Sequence, residues 1–268
     1  MTNQQTDTRT NASITQSLEF FYPFVVVLVL WEGVVQLGFI EATILPAPSQ
    51  IVSRIVKMAS EGILANHLID SFYRLILGYL LSVVLGITVG ALLAINRTVR
   101  DAFSPIFSLL LSVPTIAWVP VLLITLGLGD ATIITAVFLG GFFAIVFNTM
   151  RGVEMVNKSQ VNAARLMGVS EWGLFPKVYL PASLVATITG LRLGIGYAWR
   201  ALVGGEMLSA LAEWGVGKMI YQARFFNDIA AMFVGLILIG IGSYLIDRVL
   251  LKQLEKQTVE KWGMLAER

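Results

Sequence analysis

Four ionisable side chains lie inside strongly apolar stretches of this chain: Glu32, Arg192, Arg200 and Glu206. A charge within hydrocarbon costs about 2.5–3.5 kcal/mol on insertion scales, so such groups face a cavity or a partner. Arg192 and Arg200 stand eight positions apart, about 80° around a helix, and so share one broad face. Guanidinium groups along a passage attract anions and grip an oxyanion through two parallel hydrogen bonds. The alternative is structural: Arg192 snorkels to a membrane surface, and Arg200 neutralises Glu32 or Glu206 across a helix interface. Pro114 and Pro120 bracket Thr115 and Trp118 in mid-span, where missing backbone hydrogen bonds are tolerated only beside protein or water. That stretch either lines and gates a pathway or kinks a packing helix. Gly204-Gly205 likewise offers a hinge or a close helix contact.

Other chemistries are excluded. There is no cysteine, hence no disulfide, thiolate metal site or cysteine nucleophile. The one histidine, His67, reads as an interface residue just ahead of an apolar run, and no metal site is expected. The nearest approach to a P-loop is Gly217-Lys218, but Met219 replaces the required Ser/Thr and Ala212 the first glycine. The chain is therefore expected to bind no cofactor and to be no enzyme. A net charge of +2 gives no reason to expect nucleic acid.

The elements that must position these groups follow from composition. Of 268 residues, 56% are hydrophobic and 13% charged, and the mean hydropathy is +0.78. A soluble domain carries about 25% charged residues. Apolar runs of about 20 residues match a hydrocarbon core of about 30 Å. The fold class expected is all-α integral membrane, with about six transmembrane helices. Runs are read at 20–40, 72–95, 105–128, 131–149, 182–211 and 229–251. Residues 1–18 read as a disordered cytoplasmic tail, 19–251 as the membrane domain, and 252–268 as a cytoplasmic amphipathic tail. Pro46 and Pro48 mark a turn with Ser49 as N-cap, opening an amphipathic surface helix over 50–61. With the N-terminus inside, twelve of the 19 Lys and Arg fall on the inner side and five outside. Both termini and the polar stretch 151–181 are then cytoplasmic.

That stretch contains NAARLMGVSEWGLFPKVYLP, read from Asn162. Small residues at Ala163 and Ala164 allow a helix to approach a partner closely. Gly168 allows the sharp turn that ends it. Pro181, lacking an amide proton, suits the first turn of a helix re-entering the membrane. The spacing of Asn162, Ala163, Ala164, Gly168, Val178, Leu180 and Pro181 resembles the coupling motif of ATP-binding-cassette importer permeases, EAA-x3-G-x9-I-x-LP. The departures are Asn162 for the acid and Val178 for isoleucine, so docking at Asn162 would rest on shape and hydrogen bonds. The coupling segment is taken as 157–181. ILPAPSQIV, SVPTIAWVPVLLITLGLGD and GLRLGIGYAWRALVGGEML are similar to the nitrate/sulfonate/taurine/bicarbonate branch, and GVGKMIYQARFF is closer to its sulfonate/taurine members.

The resemblance implies a type I (MetI-like) permease in a bacterial plasma (inner) membrane. Its partners would be a second permease copy, two ATPase subunits that hold ATP and Mg²⁺, and an external solute-binding protein. The cargo implied is a small oxyanion, with a neutral or cationic vitamin precursor as the rival. The pathway candidates are Pro114, Thr115, Trp118, Pro120, Arg192, Arg200, Glu32 and Glu206. A secondary transporter with Glu32 or Glu206 as proton carrier would require an inverted repeat, and none is evident.

Overall fold

The computed structural model describes residues 22–209 and 212–246. The two tails, 1–18 and 252–268, and the end of the last apolar run lie outside the described residues. Among the described residues there are helices and connecting turns and no strand. The order is α1 (Tyr22–Gln36), α2 (Pro48–Ser60), α3 (Ile63–Ile95), α4 (Arg97–Ser112), a 3₁₀ turn (Thr115–Trp118) and α5 (Val119–Leu126). Then follow α6 (Asp130–Glu154), α7 (Lys158–Leu166), α8 (Glu171–Leu174), a π-helical turn (Phe175–Tyr179), α9 (Leu180–Ala182), α10 (Leu184–Leu208), α11 (Val216–Phe225) and α12 (Ile229–Leu245).

Two helices, α3 and α6, are long and apolar enough to cross a bilayer alone. Two bent pairs qualify as broken spans: Arg97–Ser112 with Thr115–Leu126, bent 92°, and Phe175–Ala182 with Leu184–Leu208, bent 63°. Helices α1 and α12 are shorter and apolar. Within α3 the stretch 75–95 carries no charge. Its 21 residues rise about 31 Å, which fits the hydrocarbon core.

Several local expectations are corrected. Helix α2 is capped at Ala47 and not at Ser49, because Pro48 has the fixed φ and missing N–H that suit the first helical position. The Gln50 side chain accepts from Ala47 N–H at 3.0 Å. The third apolar element starts at Arg97 and not near residue 105, since Pro105 is absorbed inside α4. Pro114 breaks the span, whereas Pro120 sits in the first turn of α5, where its lost N–H costs nothing. Pro181 lies in α9, ahead of the break at Ser183, so the long helix begins at Leu184 and not at the proline.

Helix α6 is the centre of the bundle, flanked by α3 and α10. Ile133, Val137, Ala144, Ile145 and Val146 on it are fully buried. Its approach to α3 is close because α3 presents Gly78, Ser82, Gly86 and Gly90 at every fourth position, the small-xxx-small pattern of membrane helix pairs. A Cβ at Gly78 would lie 2.7 Å from the Ile134 carbonyl oxygen, and one at Gly90 the same distance from that of Val146. Ser82 donates across the same seam to the Phe138 carbonyl at 2.8 Å. Gly204 serves contact in the same way: a Cβ there would meet Ile116 at 2.7 Å, and α10 runs through it unbroken.

The seam makes a prediction. Gly90→Val should force α3 off α6 and lower stability by about 1–3 kcal/mol, the usual cost of overpacking. Thermal unfolding in detergent, with Gly240→Ala as control, checks this; no atom lies within 4 Å of a Cβ at Gly240. Equal unfolding temperatures for the two variants would contradict the close-packed seam.

Candidate functional site

One end of the bundle gathers the bases Arg97, Arg100, Arg151, Lys158 and Arg165 around α7. Asn157 caps α7, its side chain accepting from Ser159 N–H at 2.9 Å. The helix ends two turns later at a left-handed glycine, Gly168, with φ +82°. Gly168 N–H donates to Arg165 O and Val169 N–H to Ala164 O, both at 3.0 Å, so the last carbonyls are satisfied by a Schellman turn. Val161 packs inward, while Asn162 and Ala163 face out. Leu166 and Met167 project from the tip, 90% and 84% exposed. Beyond Gly168 the chain turns back, with Ser170 accepting from Gly173 N–H at 3.2 Å. Val178, Leu180 and Pro181 are half-buried on the return. All seven residues of the spaced motif therefore sit on one compact helix–turn–helix unit between α6 and α10.

The other candidates separate into distinct places. Pro114 and Thr115 line a cleft of about 440 Å³ with Gly140, Phe143 and Tyr197. The Trp118 ring packs near Phe143, with centroids 6.4 Å apart. Pro120 is exposed on α5. Arg192 and Arg200 do share a face, and both line a second cleft of about 250 Å³ with Trp199 and Ser243. The Arg200 guanidinium lies over the ring of Tyr197, a residue of the first cleft, at 5.9 Å.

The two carboxylates have other partners. Glu32 accepts from Ser49 N–H at 3.0 Å, Ser49 Oγ at 2.7 Å and Gln36 Nε2 at 3.0 Å, tying α1 to α2. It caps the helix that Ser49 had been expected to cap. Glu206 is fully buried and pairs with Arg74 Nη1 at 2.9 Å. It also accepts from Ser71 Oγ at 2.7 Å and Gly217 N–H at 2.9 Å. Arg200 is the partner of neither.

The constellation around Glu206 is the feature that sequence reasoning missed. Arg74, 2% exposed, also donates to Asp130 Oδ1 at 2.8 Å and to the Trp214 carbonyl at 2.7 Å. His67 is buried within the chain; its Nδ1 accepts from Gly215 N–H at 3.0 Å and its ring meets Trp214 edge-on. Ser71 accepts from Val216 N–H at 2.9 Å. A signal was present: His67, Ser71 and Arg74 fall at i, i+4 and i+7, one helix face. The network joins α3, the start of α6, α10 and the approach to α11, at the end of the bundle opposite α7. Among the described residues no group of His, Cys, Asp or Glu is placed to hold a metal.

A bundle of bent apolar helices, with a small polar unit projecting between its two central ones, defines a helical membrane permease. Residues 82–257 match the family described as binding-protein-dependent transport system inner membrane component, and the chain belongs to that family. The taurine transport system permease protein TauC of Escherichia coli is 30% identical over 227 residues, 83% of this chain and 82% of its own. The nitrate import permease protein NrtB of Synechocystis is 30% identical over 232 residues, with the same two shares. An inward-facing structure of the MetNI methionine ABC transporter matches 72% of this chain and 96% of its own, with TM-score 0.61 at 20% identity. That likeness bears on the fold, which is all-helical and permease-like as expected. The chain is thus an ABC importer permease, a membrane subunit that is not itself an enzyme.

Proposed function

We propose that this permease moves a small oxyanion, a sulfonate such as taurine first, into a bacterial cell. It would work as a homodimer on two ATPase subunits that hold ATP and Mg²⁺, with an external binding protein delivering the cargo. The observation that carries the reading is the tip of α7: two large apolar side chains held out from a polar unit by a Schellman turn, beside small Ala163. Such a tip is built to enter another protein's groove, where each buried large aliphatic side chain contributes about 1.5–3 kcal/mol. Both termini and α7 would then lie in the cytoplasm, in keeping with the excess of bases there.

ATP binding would close the ATPase pair and draw the two α7 tips together. That pull would travel through Val178, Leu180 and Pro181 into α10, and through α6 into the seam with α3. The anion preference is supported by Arg192 and Arg200 in one cleft, with the Arg200 guanidinium over the ring of Tyr197, which lines the cleft at Pro114 and Thr115. These residues and Trp118 are the pathway proposed. Pro120 is a lesser member, and Glu32 and Glu206 are left as structural carboxylates. Equal similarity to taurine and nitrate relatives favours an oxyanion without choosing between a sulfonate and nitrate.

The test is ATPase activity of the reconstituted assembly, with binding protein loaded with taurine or with nitrate. Leu166→Asp combined with Met167→Asp should lower stimulated activity about tenfold or more, the loss of one well-buried contact. Unchanged stimulation in a folded variant would remove α7 as the coupling element. Stimulation by nitrate and not taurine would replace the cargo.

A further inference from the structure

At the α7 end, a cleft of about 490 Å³ opens between the last turn of α3, the first turn of α4, the end of α6 and the length of α7. Four cations line it: Arg97, Arg100, Lys158 and Arg165. Two carboxylates answer them. Asp101 lies 3.5 Å from Arg97 and 3.2 Å from Arg100, and Glu154 lies 3.8 Å from Arg100 and 3.2 Å from Arg151. Arg97, Arg100, Arg151 and Lys158 together outnumber these two carboxylates.

Arg97 opens α4 and Lys158 opens α7, and neither helix has an acidic residue in its first turn. Bases at the positive pole of a helix are disfavoured unless an anion offsets them. Asn96 and Asn157 already cap the two helix ends, so what makes the cleft an anion site is the convergence of Arg97, Arg100 and Lys158 on it.

Its depth says which anion. The uncharged stretch 75–95 of α3 spans one hydrocarbon thickness, so Ile95 marks its edge, and Ile95 and Ala94 form part of the wall. Ile95 is itself 53% exposed, so the apolar wall continues out of the cleft along the surface of α3. We infer that this cleft binds the phosphodiester headgroup of an anionic phospholipid, with its acyl chains along α3 and its phosphate between Arg97, Arg100 and Lys158. A lipid held there bridges α3 and α4 to α7. It would brace the element proposed to receive force from the ATPase, although the binding site itself does not depend on that role.

The experiment is native mass spectrometry of the full-length permease, purified with equal amounts of phosphatidylglycerol and phosphatidylcholine. A parallel arm follows thermal unfolding with each lipid and with inorganic phosphate. Phosphatidylglycerol should be retained preferentially and should raise the unfolding temperature, while inorganic phosphate should not. Arg97→Gln with Arg100→Gln should reduce retention by about fivefold for each cation removed. Arg224→Gln, at the opposite end, should leave it unchanged. Should the double variant fail to fold, Lys158→Gln alone carries the same test. Equal retention of the two lipids, or native retention by the cleft variants, overturns the proposal. Protection by inorganic phosphate equal to that by phosphatidylglycerol would assign the cleft to a free anion and also overturn it.

Discussion

Arg74→Met is expected to be the most damaging single substitution in the membrane domain. Arg74 is 2% exposed and Glu206 fully buried, and the guanidinium is the cation paired with that carboxylate. Methionine matches much of the stem's volume, so little of the loss comes from packing. What remains is a carboxylate with its hydrogen bonds from Ser71 and Gly217 and no counter-charge. Breaking a buried pair from one side costs about 3–5 kcal/mol. A typical folded protein has only about 5–15 kcal/mol in total. The surroundings cannot relax to admit solvent easily, since a Cβ at Gly215 would already lie 2.6 Å from the Glu206 carboxyl carbon. The variant should therefore unfold at a markedly lower temperature in detergent and yield little monodisperse protein. Glu206→Gln should be milder, because an amide oxygen in the Oε1 position still accepts from Ser71 and Arg74, at the cost of the Gly217 N–H bond, while Arg74 keeps Asp130 and Trp214 O. Adding Glu206→Gln to Arg74→Met should recover part of the loss, a coupling that a double-mutant cycle measures. If Arg74→Met unfolds like the native chain, the pair is not what locks α3, α6 and α10 together.

The contrast between this network and the α7 unit shows which parts of the molecule can be read in the chain. Apolar runs map onto α3, α6 and α10 because burial in lipid is a local property of about 20 consecutive residues. Gly168 was legible for a similar reason. A Schellman turn is closed within six residues, so its spacing alone announces it. Arg74 was not. Apart from Asp70 one turn back, its partners lie 56, 132 and 140 positions away, and no local pattern specifies those. The polar first third of α3, carrying His67, Asp70 and Arg74, reads as a flank outside the membrane because charged residues interrupt the apolar run. Only the fold reveals that Glu206 and the Gly215 backbone meet it there. Ser49 failed for a smaller reason: Pro48 fixes the start of α2 two residues earlier, and Glu32, 17 positions back, supplies the carboxylate for Ser49 N–H. Arg192 and Arg200 lie between these cases. Their shared face follows from helical period, but the cleft they border and the Tyr197 ring beside Arg200 do not.

Gly168→Val should uncouple the permease while leaving the membrane bundle intact. No atom lies within 4 Å of a Cβ built at Gly168, so a substitution there meets no steric obstacle beyond its own backbone. The whole effect must come from φ, which is +82°. The left-handed region costs an L-residue about 1–2 kcal/mol, and a β-branched residue is a true outlier there. Helix α7 has nine residues, too few to be stable without its caps. A cost of this size is therefore large against its local stability, and the last turn should unwind. Leu166 and Met167 then lose the positions from which they project. With about 1.4 kcal/mol per factor of ten, binding-protein-stimulated ATPase activity should fall about tenfold or more. Thermal unfolding of the bundle should change little, since α7 contributes nothing to the α3–α6 and α6–α10 seams. Gly168→Asn provides the decisive comparison: asparagine tolerates the left-handed conformation and should keep most of the stimulation. Gly168→Ala should fall between the two. An order of Asn, Ala, Val in declining activity follows backbone strain and not side-chain bulk, because the space is open to all three. If valine and asparagine behave alike, the turn's conformation is not what holds the tip in place, and the coupling role of Gly168 falls with it.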